Sequence, residues 1–180
     1  MGNDLTRDGS DLTGDARFRE VLASIGSTPE LINDMLSRVP QSRWDAKPSE
    51  GGWSFAQNLC HLRDLEREGY AVRITRMLEE EEPFLPDFDG GKIAIERNYV
   101  EQDAGLALED FARIRADNVA RLSKLDDRSL ARTGSLEGSG VITLRKLMDF
   151  IHEHDTHHLE DLRKLYDSLS KDGSGVGSQS

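Results

Sequence analysis

Apolar side chains recur every three or four residues in several long stretches of the chain, while strict alternation of apolar and polar residues is nearly absent. This spacing places the apolar side chains on one face of a helix. The second long stretch is an example, with apolar positions at Phe55, Leu59, Leu62, Leu65 and Met77. The pattern predicts amphipathic helices that pack around a shared core.

Capping residues and prolines mark the predicted helix ends. The tetrapeptide STPE at 27–30 pairs a capping residue with a proline at the first helical position. It therefore predicts a short leading helix over 16–26 and a separate helix over 29–39, ended by Pro40. Ser54 and Thr143 are the predicted caps of two later helices.

Four main helices follow from these signals, over 29–39, 55–81, 107–125 and 143–169. Pro83 and Pro86 end the second, and a long connection then runs to Tyr99 before the third. A connection of that length crosses the molecule or carries function. The Gly/Ser-rich loop at 133–142 has room for a short extended piece. We predict an all-α four-helix bundle with one long crossover connection.

The chain has the length of one domain, and we assign the bundle to residues 15–170. Residues 1–14 are mostly Gly, Asp, Ser, Thr and other polar residues. The segment 171–180 is rich in Gly and Ser. Compositions of this kind bury little apolar surface, so both ends are predicted to be disordered.

Composition and charge exclude several function classes. The formal net charge of −11 repels phosphate backbones, so nucleic acid is not an expected partner. Cys60 is the single cysteine, which rules out an internal disulfide framework. The N-terminus lacks a secretory signal pattern, and no apolar run reaches the roughly 20 residues of a membrane helix. We expect a soluble cytoplasmic protein that does not bind membranes.

Four of the five histidines lie in the segment FIHEHDTHH, at 150–158. His154 and His158 continue the apolar stripe of the last helix and lie one turn apart on the same face. Two neighbouring buried imidazoles are unfavourable unless something satisfies both, and a divalent metal does so. The remaining histidine, His61, lies at the edge of the apolar face of the second helix and could supply a third ligand. A core histidine with an ordinary hydrogen-bond partner is the competing interpretation.

Other side chains compete for a place in such a site. Cys60 is a possible ligand, but its neighbouring position turns it about 100° away from His61 on a helix, which favours a small buried side chain. His152 could replace His61 as a ligand. His157 is expected to meet solvent or a backbone carbonyl.

Three segments resemble the DinB/YfiT-like family. They are WSFAQNLCHLRDLE at 53–66, the middle section around LPDFDGG and ALEDFARIRADNVARL, and RTGSLEGSGVITLRKLMDFIHEHDTHHLEDL at 132–162. The resemblance covers about residues 28–167. It implies a four-helix bundle in which His61, His154 and His158 hold a mononuclear metal. It also implies chemistry of the thiol-dependent transferases and isomerases in that family, which use small thiols such as bacillithiol or mycothiol.

Three imidazole ligands leave a divalent ion, zinc or nickel, with at least one open position. Water bound there supplies hydroxide near neutral pH, and a thiol bound there loses its proton. We therefore expect a thiol-dependent S-transferase or isomerase acting on a small molecule with a low-molecular-weight thiol as co-substrate. The alternatives are a metal-dependent hydrolase, a non-catalytic metal-binding stress-response protein and a purely structural bundle. A homodimer is possible.

Two carboxylates near His61 are candidate proton acceptors. Asp64 could orient the free N–H of His61 or accept a proton, or instead pair with Arg67. Glu66 could shuttle protons, or instead pair with an arginine of the third helix, Arg115 or Arg113.

Two further side chains have positional roles in this interpretation. Asp155 could orient a histidine ring or hold an arginine on another helix. Trp53 is expected to pack at the entrance of the second helix rather than to stack on a substrate.

Overall fold

Four helical rods lie side by side in the part of the chain that the structure describes, residues 9–47 and 52–173 of a computed structural model. The first rod is α1 (Gly9–Leu36) and the second begins with α2 (Phe55–Asp64). The third and fourth rods are α5 (Ala104–Leu122) and α7 (Leu144–Gly173). The predicted four-helix bundle is confirmed. No helix in the described ranges is long and apolar enough to cross a membrane.

The second rod is longer than α2 because the helix continues through an unusual turn. Residues Leu65–Tyr70 form a π-helical segment, and α3 (Ala71–Glu79) follows without a break. At its start, Ser54 and Gln57 form a reciprocal capping box, as the predicted cap at Ser54 requires. π-Helical turns occur frequently at functional sites.

The first rod is one continuous helix, so the prediction of two separate helices was wrong. α1 runs uninterrupted through Pro29, because the hydroxyls expected to cap a new helix have other partners. Ser27 Oγ donates to the carbonyl of Ser24 at 2.8 Å, and Thr28 Oγ1 donates to Asp155 Oδ2 at 2.7 Å. The continuous helix keeps one buried stripe on both sides of the proline, formed by Val21, Ile25, Ile32 and Leu36.

The first and last helices extend into the two segments that the sequence predicted to be disordered. α1 begins at Gly9, and α7 continues to Gly173. The rest of these predictions, at residues 1–8 and 174–180, lies outside the described residues.

The long crossover between the second and third rods carries β1 (Phe84–Leu85), α4 (Gly90–Glu96) and a 3₁₀ turn at Tyr99–Glu101. Before the fourth rod come α6 (Asp127–Leu130), β2 (Thr133–Leu136) and β3 (Gly140–Thr143). β2 pairs with β1 in parallel and with β3 antiparallel, with Ser135 opposite Phe84 and Val141. The sequence allowed one short extended piece in the Gly/Ser-rich loop and predicted no strand in the crossover. The small three-stranded sheet is therefore a feature that the all-α prediction did not include.

Two apolar clusters fill the bundle interior, and a polar layer lies between them. On α1, for example, Thr28 lies between Ile25 of one cluster and Ile32 of the other. Further buried polar residues at this level are Glu66, Arg115, Asn118 and Asp155. All four helical rods therefore contribute to one polar layer in the middle of the bundle.

Arg115 is the centre of this layer. Its guanidinium donates to Glu66 Oε2 at 2.8 Å, to Asp155 Oδ1 at 3.1 Å and to the carbonyl of Ile25 at 2.8 Å. Asn118 donates to the second oxygen of Glu66 at 2.6 Å. Burial of ions this deep is favourable only when each charge is paired and hydrogen-bonded. The sequence left the pairing of Glu66 with Arg115 or Arg113 as the alternative to a proton-shuttle role, and the structure shows the pair with Arg115; of the two roles open to Asp155 it shows the bond to an arginine on another helix.

Candidate metal centre

Two helices bring three histidines together. His61 lies on α2, and His154 and His158 lie one turn apart on the facing side of α7. One ring nitrogen of each can be chosen so that all three lie within 4.8 Å of one another. This matches the positions that the helical spacing predicts for the three side chains.

The nitrogen separation between His61 and His154 fits a single small cation, and the ring of His158 lies close beside them. His61 Nε2 lies 3.2 Å from His154 Nε2, and the ring centroids of His154 and His158 are 4.4 Å apart. Two nitrogens bound to one tetrahedral zinc ion, each at about 2.05 Å, are separated by about 3.3 Å. The donor set and the spacing therefore suit a divalent ion that prefers imidazole.

Ring nitrogens without hydrogen-bond partners are a second indication of a metal site. His61 Nδ1 and His154 Nδ1 are buried and have no hydrogen-bond partner. Buried polar atoms in native proteins nearly always have partners, and exceptions are found at functional sites. Among the described residues, helix packing pairs the two rings with each other through Nε2 but leaves a buried Nδ1 on each without a partner, which the competing interpretation of ordinary core histidines does not explain.

The surroundings keep all three rings neutral. Burial lowers the pKa of His61 to about 4, with a further decrease from His158. Burial lowers the pKa of His154 to about 2, helped by His158 and His61. Burial also lowers the pKa of His158. Neutral imidazole is the form that binds a metal, so the site is ready to bind one at pH 7.

These shifts predict how the stability of the metal-free protein depends on pH. The unfolded chain binds a proton at His61 near pH 6.5, whereas the folded chain does so only near pH 4. Between these values the unfolded state holds more protons, so the free energy of unfolding rises with pH, by up to about 1.4 kcal/mol per pH unit for each such histidine. The contribution of His61 to the free energy of unfolding is complete above pH 6.5 and is lost as the pH falls toward 4.

Urea unfolding in a chelator at several pH values between 4 and 7 measures this slope. The His61→Gln variant should show a shallower slope than the wild-type protein. Equal slopes in both proteins would contradict the assignment of a depressed pKa to His61.

Aromatic side chains surround the three imidazoles. Trp53 meets His61 edge to face at 5.0 Å between centroids and lies nearly parallel to His158 at 6.4 Å. Phe88 from the crossover packs on His61 at 6.0 Å, and Tyr70 meets His154 edge-on at 6.1 Å. Trp53 also packs on the apolar core, as predicted. Walls of this kind exclude water and strengthen electrostatic interactions inside the site.

Gly90, the first residue of α4, touches the ring of His61. A Cβ atom at this position would lie 2.6 Å from His61 Nδ1, closer than real Cβ contacts allow. We therefore expect Gly90→Ala to push the ring of His61 aside and to weaken zinc binding by about 10–100-fold, the range typical of disturbed ligand orientation.

The matched control is Gly91→Ala, because a Cβ there meets nothing closer than Asp89 Oδ1 at 3.6 Å. Zinc titration of both variants checks the prediction. Equal affinities in the two variants would show that the contact of Gly90 with His61 has no effect on the site.

The carboxylate of Asp64 is occupied by partners away from the three rings. Its oxygens accept from Arg63 at 2.7 Å, from Arg97 at 2.7 Å and from the hydroxyl of Tyr99 at 2.8 Å. The alternative partner Arg67 pairs with Asp110 instead. Asp64 thus ties the crossover to α2, and it must lose these bonds before it can accept a proton.

Glu66 is occupied in the same way, by Arg115 and Asn118 in the polar layer. Neither predicted proton acceptor is therefore a free carboxylate. Their assignment as catalytic groups stays a prediction, and the observed pairing favours positional roles for both.

The remaining candidate residues lie outside the cluster of three. His152 Nδ1 is 3.1 Å from Ser24 Oγ on α1, so its ring is directed away from His61. His157 is exposed. Cys60 is buried in the apolar core, and burial raises the pKa of its thiol to about 11, so the thiol stays protonated.

Sequence reasoning missed Asn58, whose Oδ1 lies 2.8 Å from His158 Nδ1. Its position three residues before His61 places both on one face of α2, which is a signal that helical spacing contains. Phe88 and Gly90 were also missed. They belong to the crossover, and no periodic pattern indicates which of its residues turn toward α2.

Comparison with known families agrees with this fold and site. The family model described as the DinB superfamily matches residues 25–162, which is most of the chain. The chain belongs to the DinB superfamily. The match includes His61, His154 and His158, and it confirms the family resemblance of the sequence.

Individual DinB relatives are distant but cover most of the chain. A protein of Oceanobacillus iheyensis named "putative metal-dependent hydrolase" is 26% identical over 153 residues, which is 82% of this chain and 85% of that protein. A Bacillus licheniformis protein with the same description is 23% identical over 145 residues, covering 79% and 81% of the two chains.

A solved structure shares the fold. YfiT from Bacillus subtilis, described as "a probable metal-dependent hydrolase with an unusual four-helix bundle topology", superposes with a TM-score of 0.78. The match covers 94% of each chain at 18% sequence identity. At that identity the likeness establishes the bundle architecture alone.

Proposed function

We propose that this DinB protein is a metal-dependent enzyme in which His61, His154 and His158 hold one divalent cation. The convergence of one nitrogen from each ring within 4.8 Å is the observation that carries the proposal. Imidazole ligands suit zinc and nickel, which are the two ions we propose. The neutral state of all three rings and the unsatisfied ring nitrogens of His61 and His154 support it.

A divalent cation with three neutral ligands keeps an open position, where it acidifies a bound water or thiol and polarises a substrate oxygen. The protein's own residues supply the rest of the site. The histidines fix where the cation lies, while Trp53 and Phe88 exclude water around His61. These aromatic walls favour a small-molecule substrate with an apolar portion.

Hydrolysis of a small ester, amide or phosphoester is the first candidate reaction. Its support is the description of the relatives from Oceanobacillus iheyensis and Bacillus licheniformis as metal-dependent hydrolases. In this reaction the three histidines would hold a cation whose bound water would be acidic enough to serve as nucleophile, and the aromatic walls would shield the substrate from bulk water.

Thiol-dependent transfer or isomerisation is the second candidate, and one observation favours it. Asp64 and Glu66, the two carboxylates next to His61 in sequence, are both paired with arginines. A cation held by the three histidines would deprotonate a thiol outright but would lower the pKa of a bound water only to near neutral, so the thiol reaction would depend less on a free carboxylate as general base. A low-molecular-weight thiol is the co-substrate that this chemistry requires.

Assays of the zinc-loaded and nickel-loaded protein separate these candidates. Ester, amide and phosphoester substrates test hydrolysis, and small electrophiles with and without a low-molecular-weight thiol test transfer. The His158→Ala variant is the reference in every assay. Turnover by the wild-type protein that equals this reference with every substrate would contradict an enzymatic function. A metal-induced rise in melting temperature in that case would indicate a non-catalytic metal-binding protein.

A further inference from the structure

We propose that Asn58 is a positioning residue that holds His158 in the tautomer with its proton on Nδ1, which leaves Nε2 as the ligand atom. The assignment of Nε2 as the ligand atom rests on the proposed metal site. The assignment of the proton to Nδ1 concerns the protein without metal and can be measured independently.

The orientation of the Asn58 amide is fixed by two backbone carbonyls. Its Nδ2 lies 2.9 Å from the carbonyl oxygen of Ser54 and 3.3 Å from that of Trp53. Carbonyl oxygens only accept hydrogen bonds, so the group that faces them must be the NH₂ and not the amide oxygen. The reversed amide would place its oxygen against two carbonyl oxygens, which have no hydrogen to donate to it.

The fixed amide determines the proton position on His158. Asn58 Oδ1 lies 2.8 Å from His158 Nδ1, and an amide oxygen can only accept. A favourable contact therefore requires Nδ1–H on the imidazole. A neutral imidazole has one N–H, so Nε2 carries a free lone pair. A metal-ligating histidine is normally held in this way by a hydrogen bond to its other nitrogen.

The support for Asn58 is rigid. Asn58 is only 4% exposed, and it lies in the first turn of α2. That turn is fixed by the reciprocal capping bonds between Ser54 and Gln57. The same turn carries Trp53, whose ring packs on His61 and His158. The start of α2 therefore sets the proton position on His158 and the packing of two of the three rings.

The other two rings are hydrogen-bonded to each other. His61 Nε2 lies 3.2 Å from His154 Nε2, a contact in which either ring can donate, and neither Nδ1 has a hydrogen-bond partner among the described residues. Asn58 differs from these rings because its amide oxygen can only accept, so its contact fixes which nitrogen of His158 carries the proton. We infer that His158 presents its lone pair before any ion arrives, which lowers the free energy needed to organise the site.

The tautomer is measured on the metal-free protein by long-range ¹H–¹⁵N correlation spectra of the histidine rings at pH 7. We expect a protonated Nδ1 and an unprotonated Nε2 at His158 in the wild-type protein. Asn58→Ala should shift His158 toward a mixture of both tautomers. Asn58→Asp keeps an acceptor oxygen but loses the NH₂ bonds to the carbonyls of Ser54 and Trp53, so it should retain the Nδ1–H form only in part. A wild-type His158 protonated on Nε2 would overturn the proposal without any variant.

Metal titration gives the second readout. We expect Asn58→Ala to bind zinc about 10–100-fold more weakly than the wild-type protein, and Asn58→Asp, which keeps the acceptor but not the anchoring NH₂, to recover part of that loss. The matched control is Ser24→Ala, which removes the partner of His152 Nδ1 on the same helix as His158 and should leave zinc affinity unchanged. Equal zinc affinities for Asn58→Ala and the wild-type protein would overturn the positioning role.

The two measurements also separate this inference from the proposed function. A wild-type protein with the Nδ1–H tautomer that binds neither zinc nor nickel would refute the metal site and the ligand role of Nε2, while supporting the tautomer assignment. Metal binding by a protein whose His158 is protonated on Nε2 before metal is added would refute the role of Asn58 and support the metal site.

Discussion

Replacing His61 with alanine should abolish tight binding of a divalent cation. His61 is the one proposed ligand on α2, and without it a cation would keep only His154 and His158 of α7. Loss of an outer-shell partner lowers metal affinity by about 10–100-fold, so loss of a ligand should exceed the upper end of that range. Calorimetric titration of the metal-free protein with zinc and with nickel measures the change.

Thermal unfolding gives an independent measure of the same loss. At a metal concentration of 100 times the dissociation constant, binding stabilises the wild-type fold by about 2.7 kcal/mol. This should raise its melting temperature by roughly 2–4 °C per kcal/mol, with no corresponding rise for His61→Ala. His152→Ala is the matched control, because His152 is bonded to Ser24 outside the cluster and should leave the metal response unchanged. Equal metal responses of His61→Ala and the wild-type protein would show that α2 supplies no ligand.

Replacing Arg115 with methionine should produce the largest loss of fold stability. The change leaves the carboxylates of Glu66 and Asp155 buried without their cation. Removal of one partner from a buried ion pair lowers the free energy of unfolding by about 3–5 kcal/mol, because the remaining charge is uncompensated. Urea unfolding at pH 7 measures the change.

Two comparisons isolate the electrostatic cause. Arg113→Met on the same helix removes an exposed pair with Asp110 and should lower stability by no more than about 1 kcal/mol. Adding Glu66→Gln and Asp155→Asn to Arg115→Met removes the buried charges and should restore part of the lost stability. A loss below about 1 kcal/mol for Arg115→Met alone would contradict the central role of this ion network.

Helical spacing was sufficient to predict the bundle and the convergence of the histidines. On α7 the buried residues Ile151 and Leu162 fix which face turns inward, and His154 and His158 lie on that face. A period of 3.6 residues needs no knowledge of the neighbouring helices, so the sequence alone contains it. The spacing placed His61 only at the edge of the apolar face of α2, and the family resemblance implied its position as third ligand.

Local signals failed where tertiary contacts outweighed them. The cap-and-proline signal before Pro29 did not end α1, because Thr28 bonds to Asp155 on a helix that lies 127 residues away in the chain. β1 has two residues, which is too short for any alternation to show. It forms because its backbone pairs with β2, about fifty residues later.

The site was predictable in its ligands but not in its surroundings. The ligand candidates are rare residue types at recognisable spacing. Asn58, Phe88 and Gly90 are common residue types whose importance depends on which ring they touch. One of the two arginines that pair with Asp64, Arg97, lies in the crossover. The sequence contains no periodic pattern that predicts the path of the crossover over α2.

Crystals of the protein grown with zinc or nickel, measured at the absorption edge of that metal, test the central claim most directly. We predict one anomalous peak per chain, within about 2.0–2.2 Å of one nitrogen from each of His61, His154 and His158. That result would locate the proposed cation among the three rings. A peak bound instead by His152 or His157, or no peak among the three rings at saturating metal, would contradict it.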